Sequence, residues 1–223
     1  MGTPLRRNDT EASSNGRTAD FGSAYEGSNP SASTSTPGKP ANLRVELRPL
    51  ARPGRLLVVA IGPVGAQLRA GVREALQQVL HLDVESGPTL ERPGYAFNEA
   101  RRQYHTAAIL RRLAALRTGH APRPVLGLAE VDLFLPDASY VLGDADRDAG
   151  AALVSTARLE TRDLPRLVAR ARVEAIHEAG HLLGLGHCPD FRCAMFLSRE
   201  PVEVDRKGPG LCHGCRVALG LEH

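Results

Sequence analysis

The chain is predicted to fold as an α+β domain, with strands and helices alternating up to one long helix and irregular, cysteine-rich backbone beyond it. Three observations predict this. The apolar run Leu56 to Ile61, closed by Gly62-Pro63, has the length and punctuation of a buried strand. Three later segments repeat apolar residues at helical spacing, the last leading into a cluster of histidines. All four cysteines fall after His187, in two close pairs.

Composition sets the bounds. The chain has 223 residues, enough to bury a core, but only 4% are aromatic and none is tryptophan. Leu, Val and Ala must therefore supply most of the packing. Net charge is only +3 and the 28 basic residues are spread out, which argues against nucleic-acid binding. No apolar run is long enough to span a membrane. Residues 1–52 read as a disordered, low-complexity tail rich in Ser, Thr, Gly, Asn and Pro, and 53–223 as one domain. Within the tail, Gly27-Ser28-Asn29-Pro30 is what the GGTTCGAATCC-type arm of a transfer-RNA gene encodes when read in frame. Two accounts of the tail stand side by side: an ordinary disordered extension, or a start assigned too far upstream, leaving residues 1 to about 40 outside the natural protein.

The elements follow in order. Arg55 to Gly62 is a first strand. Leu68, Val72, Leu76 and Val79 mark a first amphipathic helix, and His81 to Val84 a second strand before a Gly87-Pro88 turn. From Phe97 to Leu116, Tyr104, Ala107, Leu110 and Leu113 form the stripe of a second helix, with Arg101, His105 and Arg112 on its solvated side. Val125–Leu128, Val131–Leu135, Ser139–Leu142 and Ala152–Ser155 read as strands. Asp144, Asp146 and Asp148 lie between them in a loop. They lack the glycine and distal glutamate of a calcium loop, and a solvated turn is the preferred reading. Asp163 is placed as the N-cap of the last long helix, with Pro165 in its first turn. That helix runs through Leu167, Val168, Ala171, Ala175 and Ile176 to His181 and stops near Gly184.

Its end carries the chemistry. His177 to His187 fits the pattern His-Glu-x-x-His-x-x-Gly-x-x-His, expected by chance at roughly one in ten thousand in a chain of this composition. His177 and His181 leave one helix face a turn apart, within reach of one metal ion. Glu178 stands where a carboxylate can hold and deprotonate a water polarised by that ion. Gly184 suits the left-handed residue that ends a helix, after which His187 can return as a third donor. Three imidazoles and an open position describe a catalytic zinc site.

The four thiols, Cys188, Cys193, Cys212 and Cys215, are spaced C-x4-C and C-x2-C and suit a tetrahedral structural zinc site. Two disulfides are the competing account, which would call for an oxidising compartment; the polar N-terminus shows no secretory signal. Met195 lies between Cys193 and Cys212.

The histidine pattern followed by a methionine turn marks the metzincin class. With four cysteines around that methionine, the stretch His177 to Cys215 resembles one branch, the archaemetzincins or archaelysins. A looser likeness extends over Val125 to Glu160, and the loop from Met195 to Cys212 is one residue shorter than in the family pattern. The resemblance implies a metzincin-like zincin fold: a twisted mixed sheet with an antiparallel edge strand packed on helices, and a C-terminal segment clamped by a four-cysteine zinc site. By analogy the edge falls within Val131 to Leu142.

The resemblance also implies roles. His177, His181 and His187 would hold a catalytic zinc, Glu178 would act as general base and proton shuttle, and Met195 would form the floor beneath the metal. Cys188, Cys193, Cys212 and Cys215 would hold a second, structural zinc, giving two Zn2+ per chain. Phe196 stands where some other metzincins place an assisting tyrosine, leaving oxyanion stabilisation mainly to the zinc. His213, inside the last cysteine pair, is ranked as a bystander. The expected function is zinc-dependent hydrolysis of peptide or protein substrates by a cytoplasmic monomer. A zinc-stabilised binding module with little turnover and a hydrolase of a non-peptide amide are the alternatives. Glu178, which a binding module would not need, favours the enzyme.

Overall fold

The computed structural model describes residues 54–118 and 123–221. The expected tail, residues 1–52, and the expected first residue of the domain lie outside them. Strands β1 (Arg55–Ile61), β2 (Asp83–Leu90), β5 (Val125–Ala129), β7 (Gly143–Asp146) and β8 (Ala151–Ser155) form one sheet in the order β2-β1-β5-β8-β7. All neighbours run parallel except β7, which pairs antiparallel with β8 at one edge. The sheet is therefore mixed, as expected.

Alternation along β1 explains the layers. Leu56, Val58 and Ala60 enter one core cluster; Leu57, Val59 and Ile61 enter another on the opposite face. The first face is covered by α1 (Ala66–Leu80) and α3 (Leu164–Leu182), the second by α2 (Thr106–Ala114). A strand buried on both faces must be almost wholly apolar, and β1 beyond Arg55, β5, and β8 up to Ser155 are. Each fully buried Leu, Val or Ile among them contributes about 1.5–3 kcal/mol. No helix among the described residues is long and apolar enough to cross a membrane.

Several local expectations need correction. His81 is not in a strand: it ends α1 in the left-handed region, at φ 52°. β2 then runs straight through Gly87-Pro88. Residues 86 and 89 pair with Val58 and Ala60, so Gly87 and Pro88 form a bulge opposite Val59 on an edge strand that can dispense with a proline N–H. The second helix begins only at Thr106. The preceding residues form a hairpin of β3 (Phe97–Asn98) and β4 (Gln103–His105), turned by Arg102 at φ 55°.

The antiparallel edge strand is Gly143–Asp146, not residues 131–142. β6 (Leu133–Phe134) belongs to a separate three-stranded sheet, β3-β4-β6, and of residues 139–142 only Val141 makes a bridge, to Leu133. The aspartates expected in a loop thus split: Asp144 and Asp146 lie on β7, and Asp148 in the turn to β8. One open edge suffices for a polar strand. On the side taken as solvated, Arg112 is exposed as expected, whereas Arg101 and His105 are engaged. Arg101 lies 4.3 Å over the Phe134 ring and donates to the Ala138 and Ser139 carbonyls at 2.6 and 3.1 Å, and His105 meets Phe134 edge-on at 5.1 Å.

Candidate metal centre and its cleft

Helix α3 sets the site. The Asp163 carboxylate accepts the Arg166 N–H at 3.4 Å, capping a helix with Pro165 in its first turn, as the sequence indicates. Glu174, His177, Glu178 and His181, at positions i, i+3, i+4 and i+7, fall on one face. At the far end Gly184 takes φ 93°. Its N–H reaches the His181 carbonyl at 2.9 Å and the Leu185 N–H reaches Gly180 at 2.9 Å, the paired bonds of a Schellman motif. The chain reverses there, and His187 returns to the helix.

The same reversal orients a donor. The His181 Nδ1–H donates to the Leu185 carbonyl at 2.9 Å, and the His177 Nδ1–H to the Ala194 carbonyl at 2.8 Å. Both rings are therefore fixed with Nε2 free of hydrogen and turned inward. Those two Nε2 atoms lie 3.1 Å apart. Nitrogens about 2.0–2.1 Å from one tetrahedral zinc would be separated by roughly 3.4 Å. One donor nitrogen from each of His177, His181 and His187 lies within 4.8 Å of the others. The three residues fit one zinc ion.

Around Met195 the backbone is a junction. The Cys188 N–H donates to the Met195 carbonyl at 2.9 Å, and the Ala194 N–H to Gly210 at 2.9 Å. Met195 is fully buried beneath α3, and a Cβ on Gly180 would stand 2.3 Å from its sulfur. Close by, Cys188 and Cys212 Sγ are 3.7 Å apart, and Cys193 and Cys215 Sγ 3.8 Å. A disulfide needs about 2.05 Å, whereas sulfurs about 2.3 Å from one tetrahedral zinc stand roughly 3.8 Å apart. All four cysteines are free thiols whose sulfurs fit a second such ion. His213 is exposed on the short helix His213–Ala218 and outside that cluster.

Electrostatics follows from burial. Desolvation, then the nearby Lys207 cation, brings His177 down to about 3, so its ring is neutral near pH 7. His187 is lowered too, first by burial and then by His181. Burial pushes Glu178 well above the usual carboxylate range, with repulsion from Glu174 and Asp144 adding to it. A carboxyl raised in this way suits a proton carrier, and a dication at the histidines would draw it back down.

The histidines and Glu178 open onto a cleft of about 890 Å³. One wall is the loop from Leu135 to Leu142 with β7; the other includes Leu197 to Glu200. Gly143 sits directly over Glu178, where a Cβ would come within 2.3 Å of Oε1. Every residue expected to hold a metal falls in one cluster or the other, and Glu178 lines the cleft beside the histidines. Sequence reasoning missed Gly143, Glu174, Lys207 and Tyr140, which lines the cleft with Arg158 stacked 4.4 Å over its ring. Glu174 alone left a signal, as an acid on the histidine-bearing face.

Three histidine donors, two on one helix and the third returning to it, beside a buried carboxylate and beneath an edge strand, define the class of metal-dependent hydrolases. The comparisons narrow it. Residues 87–220 match the model of peptidase family M54. The archaemetzincin of Methanopyrus kandleri is 42% identical over 127 residues, covering 57% of this chain and 71% of the relative. That of Aeropyrum pernix is 32% identical over 185 residues, covering 82% and 96%. Among solved structures, the Methanopyrus kandleri archaemetzincin superposes with a TM-score of 0.67 at 32% identity, covering 75% of this chain and 94% of that one. A zinc-dependent peptidase from Methanocorpusculum labreanum gives 0.68 at 30% identity, covering 74% and 99%. The chain belongs to peptidase family M54, the archaemetzincins, and is a metallopeptidase.

Proposed function

We propose that the chain hydrolyses peptide bonds with a zinc ion held by His177, His181 and His187 and with Glu178 as general base. The observation carrying this reading is the convergence of three donor nitrogens beside a buried carboxylate at the floor of an open cleft. When bound, zinc would supply Lewis acidity toward a water and the substrate carbonyl. Glu178 accepts the water's proton as its oxygen adds to the carbonyl carbon, then gives that proton to the amine nitrogen as the C–N bond breaks. The Ala194 and Leu185 carbonyls hold the His177 and His181 rings. Gly143 leaves room for Glu178 by having no side chain.

The free, tetrahedrally spaced thiols support a second, structural zinc on Cys188, Cys193, Cys212 and Cys215, hence two Zn2+ per chain. Free thiols also fit a reducing compartment, and we place a monomer in the cytoplasm, with residues 53–223 as the catalytic domain and 1–52 as a tail.

A peptide-library digest with zinc-replete protein beside Glu178→Ala tests the reading. Cleavage by the parent and not by the variant, at equal zinc content, is expected. A parent that binds zinc and cleaves no peptide would support the binding-module alternative instead.

A further inference from the structure

Lys207 is the single lysine among the described residues, in a chain that otherwise uses arginine for its cations there. Its side chain has no exposure, and its partner Glu174 is 3% exposed. The Nζ donates to Glu174 Oε1 at 3.1 Å and to the Ala194 carbonyl at 3.1 Å. That carbonyl is the one that receives the His177 Nδ1–H. Ala194 therefore accepts two donors, one from the helix and one from the segment between Cys193 and Cys212. The approach of that segment is fixed independently. Asp205 takes a two-pronged bond from Arg170 at 2.8 and 2.7 Å, one turn along α3 from Glu174, and the Gly208 N–H returns to the Arg192 carbonyl at 2.6 Å.

A buried ion pair is poor evidence for stability, because apolar residues of the same volume usually do as well. The unusual part is the second bond, to a backbone carbonyl whose direction decides how an imidazole points. We propose that Lys207 is a positioning residue for the histidine cluster, carrying the hold of the cysteine-clamped segment to His177 through the Ala194 carbonyl. The inference rests on the zinc reading of the histidines given above. With Lys207 in place, the carbonyl is held from two sides and His177 Nε2 is aimed inward. Without it, the methionine turn is free to rotate its peptide, and the ring follows.

The test uses the full chain, stripped of metal and titrated with cobalt(II). Visible bands of the histidine site are followed apart from the thiolate-to-cobalt charge-transfer bands of the cysteine site. Lys207→Met is expected to lose roughly tenfold or more in cobalt affinity at the histidines and to alter their bands, as when an orienting partner is removed. Glu174→Gln leaves Lys207 on the carbonyl and should stay within about threefold of the parent. The double variant Lys207→Met/Glu174→Leu should recover the thermal stability lost by Lys207→Met, but neither affinity nor bands. Parental affinity and bands in the double variant, or an equal loss in Glu174→Gln, overturn the proposal. If Lys207→Met does not fold, the double variant and Glu174→Gln decide alone. A parent chain that takes up no cobalt at the histidines defeats the zinc reading itself, a result distinct from the other two.

Discussion

The histidine and cysteine clusters meet in the sequence at His187 and Cys188, yet they are built in opposite ways. Two of the histidines project from one rigid helix, with their Nδ1–H groups tied to backbone carbonyls. All three line a cleft that also holds Glu178. None of the cysteines lines that cleft. They come from turns and the start of a short helix, and their sulfurs face one another. A site that keeps an open position can do chemistry; a site whose donors are all protein can only hold the chain. The contrast supports the proposal that the first cluster catalyses and the second clamps the chain.

Substitutions on either side should separate the two roles. Glu178→Ala is expected to have the largest effect, a fall of about a thousandfold in kcat with both metals retained, checked by peptide kinetics beside metal analysis. An unimpaired variant would remove the proposed base. Cys212→Ser should lower stability by about 3 kcal/mol, read by denaturant unfolding, because losing a structural metal releases the backbone it gathers. Unchanged unfolding there would dissolve the contrast. Gly143→Ala places a methyl against the Glu178 side chain, so kcat should drop about tenfold with little change in stability. Kinetics and unfolding measured together distinguish this from a simple packing defect. Asp163→Ala touches neither cluster and should cost only about 0.5–1 kcal/mol of stability, leaving kcat unchanged. A loss of activity there would mean the helix transmits more than its cap.

Helix α3 was legible because local rules agree along it: an N-cap at Asp163, proline in the first turn, a glycine where the backbone turns left-handed, and histidines on one face. The apolar strands β1, β5 and β8 were legible for a similar reason, since burial on both faces leaves little room for polar residues. The missed elements are those whose local signal points elsewhere. Tyr104 continues the stripe of α2 by accident, yet it pairs with Phe97 across a hairpin. Gly-Asp-Ala-Asp at β7 has no apolar alternation because it is an edge. Gly87-Pro88 reads as a turn unless the strand is known to be an edge with a bulge. The Lys207–Glu174 contact joins residues 33 apart and leaves no local trace.

Metal content in three proteins tests the central claim most directly. Elemental analysis of the zinc-replete parent, His181→Ala and Cys212→Ser should give two zincs in the parent, one for each donor cluster. It should give one in each variant, with thiolate-to-cobalt bands on cobalt substitution surviving only in His181→Ala. A parent holding a single zinc, or a Cys212→Ser protein that keeps both, would contradict the division into an open catalytic site and a closed structural one.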